Sequence, residues 1–410
     1  MSEPRYDLIV FGATSFVGQI LCHYLLEEFG LDRELRWAAA GRSQGKLEAL
    51  RKELGSAGAK LPLLTADAAD EPALRKLCAR SRVIVSTVGP YALYGEPLVK
   101  ACAESGTDYC DLTGEPQWIA QMLTRYESSA KASGARIIHC CGFDSIPSDL
   151  GVYFLQREAK SRLGSYCQRV KMRVRGMKGG FSGGTVASLL NAVKEATRDP
   201  RVRKELANPF SLCPADKRPK TRQPSQKLAQ FDTDFQAWTA PFVMAAINTR
   251  IVQRSHALAG QPYGEDFVYD EAVLSGRGLS GRLRATAMAG GMGAFMLASA
   301  IKPTRWVVEK LVPAPGQGPS PEEQQQGFFD LRFLGTTRDG KQLRCKVTGD
   351  RDPGYGCTGK MLGQAAACLA LDRPKDALPG GFWTPATAMP EQLIPRLTAH
   401  AGLGFEVLLT

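Results

Sequence analysis

The stretch Tyr-Asp-Leu-Ile-Val-Phe-Gly-Ala-Thr-Ser-Phe-Val-Gly at residues 6–18 limits the folds open to this chain more than any other. Residues 8–11 are an apolar run of strand formers. Gly12 ends the run, and Val17, Ile20, Leu21 and Leu25 then recur at helical spacing. Strand, tight glycine turn and helix, in that order, open a Rossmann-type nucleotide-binding unit. The chemistry requires this layout. Gly12 takes a turn that a Cβ would oppose, and the backbone can approach a pyrophosphate. Free N–H groups at the following helix start then face that anion. Ala13, Thr14, Ser15, Phe16 and Val17 complete the turn, and Gly18 lets the helix lie close to the strand. Thr14 and Ser15 stand where a second glycine is usual, so that hydroxyls can meet phosphate.

Residues 35–40 read as a second strand, running into Gly41 and Arg42. A unit that binds NAD usually places Asp or Glu here to hold the ribose 2′-hydroxyl. This chain has a guanidinium instead, which fits a 2′-phosphate through paired charge-assisted hydrogen bonds. The expected cofactor is NADP(H). Residues 61–66 form a third strand, and Asp67 after it either meets the adenine or caps the next helix. Residues 82–87 form a fourth, closed by Thr87, Val88, Gly89 and Pro90 at the sheet edge where ligands of open α/β folds bind. Further strands at 109–111 and 136–140 alternate with helices at 98–103 and 119–131. The fold class is therefore α/β, with a parallel sheet covered by helices on both faces.

At 410 residues the chain is too long for one ordinary core, and the pattern changes near residue 150. The expected division is a nucleotide-binding domain over 1–150 and a second domain over 151–351, carrying substrate or dimer contacts. Strands of a second, mixed sheet are expected at 268–272, 328–334 and 343–348. A net charge of +11 suits a phosphorylated cofactor or an anionic membrane surface. No zinc-finger, homeodomain or basic-zipper pattern accompanies it, which argues against nucleic acid. The 11 cysteines include no Cys-x-x-Cys pair and read as reduced thiols. No metal site is expected. With the first strand starting at residue 8, a secretory leader is not expected, which leaves a cytoplasmic chain.

Residues 286–301 carry no charge, while Arg277, Arg282, Arg284, Lys302, Arg305, Trp306 and Lys310 flank them. The run is short for a bilayer crossing. It suits either an interfacial contact at the inner face of the plasma membrane or a buried helix or substrate wall. The glycine-rich residues 179–185 either cradle a substrate anion or make a structural turn, and residues 313–326 read as a loop.

For chemistry, Tyr91 and Tyr94 are the hydroxyls placed just past the fourth strand. Asp144 follows the sixth strand and joins them as a candidate proton donor. Asp111, Glu115 and Ser145 sit at strand ends facing the same crevice and are candidates for the substrate cleft. Each of these groups could instead cap a helix or a turn. No Tyr-x-x-x-Lys pair occurs, which excludes the short-chain dehydrogenase arrangement. Cys140, Cys141 and Cys357 keep a thiolate route open. A non-catalytic NADP-binding scaffold at a lipid surface is the alternative from a different class.

Taken together, the chain resembles the saccharopine dehydrogenase-like oxidoreductases, which include the trans-acting enoyl reductases of lipid and polyketide assembly. The resemblance rests on the 12–18 turn, Ala-Gly-Arg at 40–42, Gly-Pro-Tyr at 89–91 and Tyr-Cys-Asp-Leu-Thr-Gly-Glu at 109–115. Cys-Gly-Phe-Asp-Ser-Ile-Pro-Ser-Asp at 141–149 and Gly-Gly-Phe-Trp-Thr-Pro at 380–385 are its most specific parts. It implies an N-terminal NADP-binding Rossmann domain, a second α+β domain over the cleft, and a segment at about 352–410 returning to the first domain. It also implies NADPH-dependent reduction of a hydrophobic acyl or lipid-type substrate in lipid or glycolipid biosynthesis. Association with a membrane surface, and a homodimer, are compatible with it.

Overall fold

The computed structural model describes residues 5–31, 33–179, 183–311 and 318–408. Its strands are β1 (Tyr6–Phe11), β2 (Trp37–Gly41), β3 (Leu63–Thr65), β4 (Ser81–Ser86), β5 (Asp108–Asp111), β6 (Arg136–Ile138) and β7 (Cys167–Lys178). They continue with β8 (Gln230–Asp232), β9 (Ala237–Pro241), β10 (Val268–Gly276), β11 (Phe328–Thr337), β12 (Gln342–Gly349), β13 (Gly381–Trp383) and β14 (Leu403–Leu408). Strands buried on both faces need unbroken apolar runs, and β1 is buried along its whole length. The first sheet has the order β13-β6-β5-β4-β1-β2-β3 and is parallel throughout. Strand order reverses between β1 and β4, which opens a crevice at their carboxyl ends.

The expected strands at 35–40 and 61–66 begin too early. Leu35 and Leu61 are buried, but they fill the core from the loops ahead of β2 and β3. Their apolar character reads as strand although their backbones are unpaired in the ladder.

The second sheet, β14-β12-β11-β7-β10-β9-β8, is mixed: β7 and β10 run parallel, and its other pairs are antiparallel. The division at residue 150 falls inside the helix Ile146–Leu163, which packs on β7, β11, β12 and β14. The end of the chain serves both sheets. The helix Gly356–Leu371 lies against the helix Phe16–Phe29 and against β1, β4 and β5, and β13 then extends the first sheet. The helix Pro390–His400 and β14 pass to the second. One core therefore runs without a break from Leu8 and Val83 to Phe333 and Val347.

The uncharged run at 286–301 belongs to the helix Gly278–Ala300, which lies on β9 and β10. It is not a core helix, because Leu279, Leu283 and Leu297 are exposed. Among the described residues no helix is long and apolar enough to cross a membrane. Residues 180–182 of the glycine-rich turn and 313–317 of the expected loop lie outside the described residues. That loop ends in a short helix, Pro321–Gln325, closed by a capping box between Ser320 and Glu323.

Candidate active site

The crevice between β1 and β4 is built around Gly12, whose φ of +86° suits glycine. A Cβ there would stand 2.7 Å from Val88 Cγ2 and 2.8 Å from Thr87 Oγ1. At Gly18 it would meet Gly12 O at 2.2 Å. Ser15 caps the helix Phe16–Phe29, its Oγ accepting the Gly18 N–H at 3.0 Å. Thr87 Oγ1 donates to Gly12 O at 2.9 Å and so locks the turn to the end of β4. Thr14, Phe16, Val17 and Gly89 line the adjoining cavity with Ser15 and Thr87, while Ala13 is fully buried behind it. Val88 and Pro90 are half-buried beside Gly89.

Arg42 projects from the end of β2. It is exposed, and among the described residues no hydrogen bond or ion pair engages it. Asp67 is exposed as well, with Oδ1 accepting the Ala69 N–H at 2.9 Å. The cap of the next helix is Asp70, not Asp67, since Asp70 Oδ1 accepts the Ala73 N–H. The glycine floor, the helix N-terminus above it and a free guanidinium past Gly41 fit a dinucleotide with a 2′-phosphate.

Past this crevice, Glu115 organises the next turn. Its carboxylate accepts the N–H groups of Tyr91 at 2.8 Å and Ala92 at 3.0 Å, and the Ser188 hydroxyl at 2.8 Å. Burial raises its pKa, while these hydrogen bonds oppose the rise. Tyr91 donates its hydroxyl to Ser86 O at 2.9 Å and packs on Trp118. Burial pushes that phenol well above its ordinary range, so its proton stays on the phenol oxygen, donated to the Ser86 carbonyl. Tyr94, on the same short helix Tyr91–Tyr94, is 50 % exposed and does not line the cavity. The single turn of helix aims Tyr91 inward and Tyr94 at solvent.

Asp144 lines the cavity beside Glu115, Tyr91 and Gly114. Its open side is the cavity itself; elsewhere it is enclosed by protein. Burial, reinforced by the charges of Asp111 and Glu115, raises its pKa to about 7. A Cβ on Gly114 would stand 3.1 Å from its Oδ1, so glycine there keeps room beside the carboxyl.

Two expected cleft residues sit behind the wall. Asp111 is fully buried, its Oδ1 accepting the Thr113 and Cys140 N–H groups and its Oδ2 bonding His139 Nδ1 at 2.7 Å. Ser145 is also fully buried and donates to Asn248 Oδ1 at 3.1 Å. Both hold backbone and helices in place because the polar groups around them have no access to water. The thiolate route fails on the same ground. Cys140, Cys141 and Cys357 are buried, and burial pushes each thiol well up.

The cavity measures about 730 Å³ and runs from the nucleotide crevice into the space between the two sheets. Its far walls are Leu189 and Val193 on the helix Gly183–Arg198, Ile247 and Arg250 on the helix Ala245–Leu258, and Met296 on the helix Gly278–Ala300. Of these, only Met296 fell in a run that sequence reasoning allowed as a substrate wall; the others were not assigned to a site. Gly184, from the glycine-rich turn, does reach the wall. The whole space suits an extended apolar ligand with its reactive end near Asp144.

Residues 8–138 match the family described as the saccharopine dehydrogenase NADP-binding domain. A Mycobacterium tuberculosis protein is 40% identical, with 99% of this chain and 98% of that protein covered. The trans-acting enoyl reductase of Mycobacterium bovis is 37% identical, covering 97% of this chain and 96% of its own. That of Mycobacterium ulcerans is 35% identical with the same coverage. Among solved structures, apo saccharopine dehydrogenase (L-Glu forming) of Saccharomyces cerevisiae aligns with a TM-score of 0.52 at 14% identity, covering 98% of this chain and all of that one. Homospermidine synthase of Legionella pneumophila, in complex with NAD, aligns at 0.50 and 11%, covering 99% and 92%. At such identities these two alignments speak for the fold alone.

Proposed function

The chain belongs to the trans-acting enoyl reductases of the saccharopine dehydrogenase-like family and is an NADP-dependent oxidoreductase, and from that premise we propose that it reduces the carbon–carbon double bond of an α,β-unsaturated acyl ester or thioester. The substrate is of lipid or polyketide type. The observation that carries this reading is one continuous space: an apolar cavity that meets the nucleotide crevice at a carboxyl group whose pKa burial raises to about 7.

Bound NADPH supplies the hydride. The chain supplies the rest. Gly12, Ser15 and the start of the helix Phe16–Phe29 hold the pyrophosphate, and Arg42 holds the 2′-phosphate. Asp144 keeps a proton on its carboxyl below about pH 7 and delivers it to the substrate's α-carbon. Tyr91, fixed on Ser86 O, and Glu115, fixed on the Tyr91 and Ala92 N–H groups, shape the space around that acid. They position; they do not transfer protons. The walls from Leu189, Val193 and Ile247 exclude water, which strengthens each polar contact at the reacting end.

The test is NADPH oxidation with trans-2-enoyl thioesters of increasing chain length, with the product identified by mass. A saturated thioester, formed faster from longer chains, is the expected result. NADPH oxidation with imines but with no enoyl substrate would overturn the reading.

A further inference from the structure

The helix Gly278–Ala300 presents two different faces. Its inner face is made of small residues: Gly281, Ala285, Ala289 and Ser299 are buried. A Cβ on Gly281 would lie 2.3 Å from Gly276 O, so the helix sits as close to its sheet as a backbone can. Its outer face carries Leu279, 71 % exposed, Leu283, 63 %, and Leu297, 64 %. Leu279 and Leu297 are separated by five full helical turns, and Leu283 lies beside that line. On the line between these leucines the exposed positions Thr286, Gly290 and Gly293 are small and uncharged, while Arg282 and Arg284 stand to either side of it. A helix whose outer stripe faces water normally carries charge there; this one does not.

The charges lie at its ends and flanks. From residue 277 to 308 every ionisable side chain is basic. Arg277, Arg282 and Arg284 are exposed near the first turns, and exposed Trp306 follows in the helix Lys302–Leu311. The Lys310 ammonium lies 3.7 Å over the Trp306 ring. This charge pattern decides between occupants. A second copy of the chain, docked face to face about a two-fold axis, would set arginine against arginine at both ends of the contact. An anionic lipid surface meets the same pattern with attraction, and it accepts both the leucine stripe and an interfacial tryptophan.

We propose that the chain docks on an anionic bilayer through the outer stripe of the Gly278–Ala300 helix, which lies flat in the interface and opens the cavity towards the lipid. Met296 makes the connection. It is exposed and it lines the cavity, as Ala300 one turn further does. An acyl chain leaving the bilayer beside Met296 enters the cavity without crossing water. The docking stands on the surface alone; the delivery step rests on the proposed reading of the cavity as an acyl site.

The experiment is flotation of the full chain with vesicles of phosphatidylcholine, with and without phosphatidylglycerol, at low and high salt. Wild type is expected to float with the anionic vesicles at low salt and to lose about tenfold of that binding in high salt or on neutral vesicles. Leu279→Glu with Leu283→Glu should abolish flotation while leaving the melting temperature and NADPH affinity unchanged, because both side chains are exposed and outside the cavity. Arg284→Glu should lose the salt-dependent part. Wild type that ignores anionic vesicles, or a double variant that floats as well as wild type, overturns the proposal. So does a wild-type dimer in lipid-free sedimentation that the double variant converts to monomer, since a second copy would then own the face. Turnover of a short, water-soluble enoyl thioester is measured in parallel. Docking without turnover would sink the reductase reading and leave the docking intact.

Discussion

Ser15 Oγ and Thr87 Oγ1 stand 2.9 Å apart across the crevice, although 72 residues separate them in the chain. This contact joins the turn after β1 to the end of β4, and Thr87 passes it on to Gly12 O. Thr87→Val keeps the shape but removes the side-chain bridge, leaving Ser15 Oγ with only the Gly18 N–H and Gly12 O with only the Ser15 N–H. NADPH affinity should fall by about fivefold, matching a net loss of ~1 kcal/mol. Calorimetric titration measures this, and unchanged affinity would show that the turn holds itself.

Arg42→Ala should weaken NADPH binding by roughly 1.5–3 kcal/mol, the range for a charge-assisted hydrogen bond, and leave NADH binding almost unchanged. The guanidinium has no partner among the described residues, so its removal costs the fold little. Titrating both cofactors against both proteins is the check. Equal losses for NADPH and NADH would place the phosphate contact elsewhere.

Asp144→Asn removes the proposed proton donor without changing its size. Turnover should drop by about a hundredfold or more while NADPH affinity holds. In wild type the donor is lost as its carboxyl ionises, so turnover should decline as pH rises through about 7. The residual rate of the variant should be flat over the same interval. A wild-type rate that is level across neutral pH would remove Asp144 from this role.

Asp149 offers a test that does not depend on activity. It is buried, accepting the Ser255 hydroxyl at 2.5 Å and the Ala386 N–H at 2.8 Å, and burial raises its pKa to about 7. An unfolded chain loses this proton near pH ~4, while the folded chain keeps it to about 7. The resulting stabilisation is complete below the lower value and is lost as pH rises through the upper one. Asp144 and Glu271, also raised to about 7, act with the same sign. Asp149→Asn should therefore flatten part of the fall in stability between those pH values, by on the order of 1 kcal/mol. Thermal melts across the interval will show it. A wild-type melting temperature that climbs steadily over this range, with a variant that follows it, would contradict the assignment.

The glycine turn and β1 were legible because a buried parallel strand has to be apolar and a tight turn has to be glycine. Asp67 stayed open because a carboxylate after a strand looks the same whether it closes a small turn, caps a helix or faces a ligand, and the structure decides only against the helix cap. Of the far cavity walls, only the 286–301 run was open to being read as one. Ser188, Ile247 and Met296 come from three helices far apart in sequence. The helix Ala245–Leu258 is buried without a break over residues 250–257, and Asn248, Arg250, Gln253 and Arg254 are among its buried positions, which erases the amphipathic period that would have announced it. The run at 286–301 was ambiguous for a different reason. Absence of charge marks a surface that avoids water, and whether protein or something else covers it depends on what its neighbours leave open.

Because β13 closes the first sheet and β14 the second, neither sheet is finished until translation has passed residues 381–383 and 403–408. While the chain is being made, β6 and β12 wait as open edges, each a template for a stray strand. Translation that stops after β12 but before residue 381 would therefore release a chain with both edges bare, prone to aggregate rather than to persist as a free nucleotide-binding fragment. Any holding chaperone this protein needs would act in that late interval, and expression at lower temperature should raise the soluble yield of the whole chain far more than that of a fragment ending near residue 350.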